Sequence, residues 1–255
     1  AISSVISRIV GLIVIVIMYI HYIHSSLSIK NIFPFPGKLF ATLLKIGLPS
    51  AGENLSYNLS QLVIIMILNY HFILSQSIDV NIRGYIANFT SIVYMFSNAI
   101  AQSAQVIIGP KIAKNEIDDT FHIVKDTVKM SGIITVLCSL IFIAISYPLL
   151  NSLLNIKDPE LKSQAMNIVL IVCAIDILLE FGRSGNIPYV RCLQTVGDIY
   201  TPVFFAIICC WSAAVLGSYI LSAFCNLGVI GVWISCALDE NIRNIIFTFR
   251  WNSKK

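Results

Sequence analysis

Seven times along its 255 residues this chain runs for about twenty residues or more with little charge, and that repetition limits its fold more than any other feature. At 1.5 Å per residue, a helix needs ~20 mostly apolar residues to cross the ~30 Å hydrocarbon core of a bilayer. The runs are Ile2–Ile23, 48–73, 84–108, 130–150, 165–193, 202–225 and 228–249. Backbone polar groups have no water to bind in lipid, and runs this long without period-two alternation form helices rather than barrel strands. The expected fold is all-α and membrane-embedded.

Composition agrees, because hydrophobic residues make up 57% of the chain, charged residues only 12%, and the mean hydropathy is +0.83. A soluble domain carries roughly 25% charged residues. Too few polar groups remain to cover a core in water.

Lys and Arg in the connections predict the orientation, since cytoplasmic loops hold an excess of them. Eleven fall on one side: Lys30, Lys38, Lys45, Lys111, Lys114, Lys125, Lys129, Arg191, Arg250, Lys254 and Lys255. Three, Arg83, Lys157 and Lys162, fall on the other. This places the C-terminus in the cytoplasm and reads the net charge of +4 as loop bias. No basic face with interleaved aromatics lies outside the spans, so a nucleic-acid partner has no support.

Three segments are expected. Residues 1–24 form one span, longer than the ~7–15 residue core of a secretory signal and without its cleavage motif, so the chain reads as part of a longer polypeptide. Residues 25–47 form a linker with the rigid Phe33-Pro34-Phe35-Pro36-Gly37 turn, followed by a short amphipathic interfacial helix with Lys38, Leu39, Phe40, Leu43, Leu44 and Lys45. Residues 48–255 form a six-helix bundle.

The seven cysteines include no C-x-x-C pair and no matching histidine pattern, so they read as small buried hydrophobes and not as metal ligands. Neither H-E-x-x-H nor G-x-S-x-G occurs, which leaves an intramembrane enzyme without a motif. No cofactor is implied beyond a coupling ion.

Polar residues inside the spans carry the functional information. Ser50, Glu53, Asn54, Tyr57, Asn58, Ser60 and Gln61 crowd one half of the second span, with Glu53, Tyr57 and Gln61 on one face at helical spacing. In the third span Asn88, Ser91, Met95, Asn98, Gln102 and Gln105 recur every three or four residues. Such amides fasten membrane helices together, but an unbroken stripe predicts a wet cavity. Asp176, Glu180 and Arg183 share a face of the fifth span, and Asp239, Glu240 and Arg243 one of the seventh.

Charge at membrane depth costs several kcal/mol on insertion scales and is kept for a substrate path, an ion path or a partner. Glu53, Asp176, Glu180, Asp239 and Glu240 stand against Arg183 and Arg243, a surplus of three negative charges if all ionise. Arginine stays protonated, so the surplus carboxylates must hold protons or bind a cation. An antiporter requires such exchangeable groups. The plainer reading, in which Arg183 and Arg243 only neutralise Glu180 and Glu240 to lock helix packing, leaves the remaining acids unexplained.

Three stretches carry a family resemblance. They are Gly47-Leu-Pro-Ser-Ala-Gly-Glu-Asn-Leu-Ser-Tyr-Asn-Leu-Ser-Gln61; Gly182-Arg183 with Asn186 through Leu193 and Gly197-Asp198; and Asp239-Glu240 with Arg243 and Arg250-Trp251. Together they resemble the second half of multidrug and toxic compound extrusion (MATE) transporters over nearly the whole chain. The resemblance implies twelve helices in two six-helix lobes, with Ile2–Ile23 similar to the sixth helix, 25–47 to the inter-lobe loop, and the rest to the second lobe. A first lobe of the same protein would be the partner. It also implies export of organic compounds across the plasma membrane in exchange for H+ or Na+. Coupling acids of some cation-driven members align near Tyr57 and Arg183 or Ser184, so the carboxylates here stand a turn earlier, at Glu53 and Glu180.

The expectation is therefore a cation-coupled antiporter working by alternating access, with an organic, cationic substrate. Glu180 and Asp176 would couple the ion, Asp239 and Glu240 support them, and Arg183 and Arg243 orient them. Glu53, Asn54, Tyr57, Asn58, Gln61, Asn98 and Gln102 would line the cavity. A lipid-linked oligosaccharide flippase of related two-lobe plan, or a truncated membrane partner without transport of its own, are the alternatives.

Overall fold

The computed structural model describes residues 2–23 and 37–254. All regular structure among them is helical: α1 Ile2–Ile23, α2 Gly37–Tyr70, α3 Gln76–Ala113, α4 Ile117–Leu153, α5 Pro159–Thr195, α6 Tyr200–Phe224 and α7 Gly228–Asn252. The Phe33 to Pro36 turn lies outside the described residues. The chain divides into two compact units, Ala1–Gly47 and Leu48–Lys255.

In the first unit α1 carries Ser7 and Arg8 near its start and then runs apolar from Ile9 to Ile20 but for Gly11 and the Tyr19 hydroxyl, as suits a helix in contact with lipid. Five helices (α1, α3, α4, α5 and α6) are long and apolar enough to cross a membrane. In the other two, α2 and α7, polar and charged residues interrupt the apolar runs.

The helices run past the expected spans at most ends. No break separates a short interfacial helix from the second span: a single helix runs from Gly37 to Tyr70 with Pro49 inside it. Helix α3 starts at Gln76 and not at 84, so Arg83 is a helical residue and not a loop charge. Ser75 caps it by accepting from Ile78 N–H at 3.3 Å. Helices of 37 or 38 residues are about 55 Å long and overrun a ~30 Å hydrocarbon layer. Their polar ends therefore belong in the headgroup zone or water.

The turns between helices are tied by side chains. Asp79, fully buried, accepts from the backbone N–H groups of Ile73 at 2.9 Å and Leu74 at 3.2 Å, closing the α2–α3 turn. Asn115, with φ of 64°, turns the chain between α3 and α4. Beside it Lys111 Nζ pairs with Glu116 at 2.9 Å and Asp119 at 2.7 Å. Asp158 caps α5 by accepting from Glu160 N–H. The α5–α6 turn is clasped to the end of α7 by Asp198, which pairs with Arg250 at 2.7 Å and Lys254 at 3.2 Å.

Within the second unit α5 is the most enclosed element and packs against α3, α4 and α7. Gly182 and Gly185 let α7 come close: a Cβ on Gly182 would lie 2.8 Å from the backbone nitrogen of Asn241, and one on Gly185 would overlap the Asn244 side chain. This is the small-residue packing by which membrane helices associate. Asn241 fastens the contact by donating to Leu178 O at 2.8 Å. Helix α6 widens into π-turns over Cys210–Leu216 and Ile220–Phe224. The first of these begins at the cavity described next, and π-turns often accompany functional sites.

Candidate functional site

A cavity of about 510 Å³ opens within the second unit, walled by α2, α3, α5, α6 and α7. The polar half of α2 contributes Ser50, Glu53, Asn54, Ser56, Tyr57, Asn58 and Gln61. Facing them are Arg83, Thr90, Ser91, Tyr94 and Asn98 of α3, Arg183, Asn186, Arg191 and Gln194 of α5, and Trp233, Cys236, Glu240 and Arg243 of α7. Helix α6 is pinned to α2 at this wall: Trp211 Nε1 donates to Ser56 Oγ at 2.8 Å, and Cys210 Sγ to Ser60 Oγ at 3.0 Å.

Gln102, expected on this wall, is exposed and does not line the cavity. At about 100° per residue the stripe is a band and not a line: Ser91 and Asn98 lie on the edge that faces the cavity, whereas Asn88, Met95 and Gln102 lie on the other edge and off the wall. Gln105, on the same side as Asn98, donates instead to Arg191 O at 3.1 Å and Thr195 Oγ1 at 3.2 Å, fastening α3 to α5.

The expected acids meet in one network of alternating sign. Arg183 donates from NH1 to Glu180 Oε1 at 2.7 Å and from Nε to Glu240 Oε1 at 3.0 Å. Arg243 NH2 reaches the same Glu240 oxygen at 3.0 Å and Asp239 Oδ2 at 2.6 Å. Asn186 Nδ2 donates to the other Glu240 oxygen at 2.6 Å. The order is Glu180, Arg183, Glu240, Arg243, Asp239, and it bridges α5 and α7 through Arg183 and Glu240.

Asp176 stands apart from that chain. Its Oδ1 accepts from Thr90 Oγ1 and from Trp233 Nε1, each at 3.0 Å. Asp176, Glu180 and Asp239 are 1%, 0% and 3% exposed and stand behind the cavity wall rather than on it. Each keeps one oxygen with no hydrogen-bond partner: Asp176 Oδ2, Glu180 Oε2 and Asp239 Oδ1. Glu240, at 5% exposure, has both oxygens occupied. A buried carboxylate with an unmatched oxygen is costly in low dielectric. Three of the four acids thus keep an oxygen free of any hydrogen bond, whereas both oxygens of Glu240 are in use.

Several wall residues were not expected from the sequence. Thr90 and Trp233 carry no charge to mark them. Arg83 and Arg191 are counted from the sequence as charges on opposite sides of the membrane, whereas Arg83 lies in α3, which starts before the apolar run, and Arg191 in the last turns of α5. Arg83 donates to Gln61 Oε1 at 2.8 Å inside the bundle. The Arg183 guanidinium also lies 5.6 Å from the centre of the Tyr94 ring.

Comparison with known proteins gives concordant matches. The MatE family model matches residues 49–220, which is 172 of the 255 residues. An uncharacterized transporter, YisQ, of Bacillus subtilis (strain 168) is 31% identical over 254 residues, covering 100% of this chain and 54% of YisQ. A probable multidrug resistance protein of the same organism, YoeA, is 20% identical over 92% of this chain and 50% of its own length. Among solved structures, a MATE crystal structure in the straight conformation superposes with a TM-score of 0.75 at 15% identity, covering 96% of this chain and 53% of that one. The chain spans about half the length of the curated relatives it matches.

Proposed function

The chain belongs to the MatE family of transporters, and we propose that it supplies the second lobe of an exporter of organic compounds driven by H+ or Na+ in exchange. One observation carries this reading: three buried carboxylates, each with an unmatched oxygen, stand directly behind the wall of a polar cavity. Glu180 and Asp176 take up and release the coupling ion, and Asp239 supports them. Glu240, saturated by two arginines and Asn186, holds Arg183 and Arg243 in place.

Loading Glu180 removes the negative partner of Arg183 NH1 and leaves that guanidinium on Glu240 alone. The change is local, yet it lies on the α5–α7 contact and on the cavity wall together, so ion occupancy and wall geometry are coupled. Alternating access between two lobes would turn that coupling into transport. The protein acts in the plasma membrane with its C-terminus in the cytoplasm, where the Lys and Arg bias places it.

The test is Glu180→Gln in the complete protein. Ion-driven efflux of dyes is expected to be lost while the protein still reaches the membrane, and collapsing the H+ and Na+ gradients in turn identifies the ion. Unchanged efflux would remove Glu180 from the mechanism.

A further inference from the structure

The acids that mark this interior are not what the cavity presents. Among the described residues its wall holds four guanidinium groups, Arg83, Arg183, Arg191 and Arg243, against two carboxylates, Glu53 and Glu240. Glu240 is already committed to two of those arginines. The other acids lie behind the wall. Adding Arg83 and Arg191 also cuts the surplus of three negative charges read from the sequence to one.

Two of the arginines have no carboxylate of their own. Arg83 makes one side-chain hydrogen bond, to the neutral amide oxygen of Gln61. Arg191 makes no ion pair among the described residues, although it feels Glu53 at longer range. Guanidinium cannot shed its proton. In a cavity walled by protein these charges are screened far less than in water and call for a counter-charge. Glu53 can offset one of them at most.

Two of the three aromatics on the wall are engaged, which leaves Tyr57: the Tyr94 ring already has the Arg183 guanidinium beside it, and Trp233 points its N–H at Asp176. The remaining wall groups, among them Asn54, Asn58, Asn98 and Gln194, can donate hydrogen bonds through their amides.

We infer that the compound carried in this cavity presents an anionic group, a carboxylate, sulfonate or phosphate, to Arg83; Arg191 stands level with Gln105, which is bonded to its carbonyl, and so about 33 Å further along α3, too far for one group to meet both. This opposes the cationic substrate expected from the sequence. It rests on the transporter reading above and concerns the charge of what is transported.

Two xanthene dyes of similar shape and opposite charge provide the test: fluorescein, anionic at pH 8, and rhodamine 6G, cationic. Binding of each to the complete protein in detergent is measured by fluorescence polarisation. Fluorescein should bind at least about tenfold more tightly, as expected for a hydrogen-bonded ion contact. Arg83→Gln should move the ratio of the two affinities toward rhodamine 6G by about tenfold, and Arg191→Gln by less. Arg83→Lys and Arg191→Lys, which keep the charge, should leave that ratio within a few fold.

Preference for rhodamine 6G, binding of neither dye, or a ratio unmoved in Arg83→Gln would overturn the inference. Reconstituted vesicles separate it from the reading it rests on. Driven movement of rhodamine 6G without fluorescein keeps the transporter and rejects the anion. Fluorescein bound with the expected ratio but never driven across keeps the anion and rejects the transporter.

Discussion

Arg183 of α5 and Glu240 of α7 meet at 3.0 Å although 57 residues separate them, and their pairing joins the i,i+3 ion pair of α5 to the i,i+3 and i,i+4 pairs of α7 in one network. Each helix alone would hold its own acid beside its own arginine. Only the contact between helices makes Glu240 the shared partner of both guanidinium groups. Breaking a buried ion pair on one side costs ~3–5 kcal/mol, because the other charge is left without compensation.

Glu240→Ala removes the carboxylate between the two guanidinium groups but leaves Glu180 and Asp239 beside them, so it should lower thermal stability in detergent by less than that, about 1–3 kcal/mol for the buried donors left unmatched. Glu240→Gln keeps the amide within reach of both guanidinium groups and should cost less. A double-mutant cycle with Arg183→Met checks the assignment: the two effects should be strongly non-additive, since the residues share one contact.

Gly182→Ala should loosen the α5–α7 interface. Its new methyl would sit 2.8 Å from the Asn241 backbone nitrogen, where backbone rather than a flexible side chain must move. Overpacking of this kind costs about 1–3 kcal/mol. A lowered melting temperature with lost ion-driven efflux is expected, and full activity with wild-type stability would show that the helices have room to separate.

Asp79→Ala should open the α2–α3 turn, because two backbone N–H groups lose their acceptor at a fully buried position. Each unmatched buried donor costs ~1–3 kcal/mol. Hydrogen exchange at Ile73 and Leu74 should accelerate well beyond that of the neighbouring helices.

The Asp198 clasp predicts a dependence on pH. Burial pushes this carboxyl up, but hydrogen bonds from Thr201, Arg250 and Lys254 outweigh it and hold the group below its usual range. A carboxyl depressed in the folded state stabilises fully above its unfolded pKa of ~3.9 and loses that contribution as pH falls through the folded value. Wild type should therefore lose stability more steeply than Asp198→Asn on acidification below about pH 4, read as melting temperature against pH. Parallel curves would count against the clasp.

The helices themselves were legible because apolar runs of bilayer length leave no other way to satisfy a backbone in lipid. Their ends were not. Polar residues such as Gln76 or Asp118 continue a helix into the headgroup zone as readily as they begin a loop, and hydropathy does not register the difference. From the sequence Arg83 and Arg191 also count as charges on opposite sides of the membrane, whereas both line the cavity. The α2 face was legible from i, i+4 spacing, and Glu53, Tyr57 and Gln61 stand on the wall together. The α3 stripe held at Ser91 and Asn98 alone, whereas Asn88, Met95 and Gln102, on its other edge, do not line the cavity.

By itself the sequence determined that this protein is a helical membrane protein and that ionisable groups sit within its spans, because length, hydropathy and charge are properties of single segments. Tertiary structure decided which charges neutralise one another and which face the cavity. Those outcomes depend on helix–helix distances, such as the approach that Gly182 permits between α5 and α7, and no single segment encodes a distance to its neighbour.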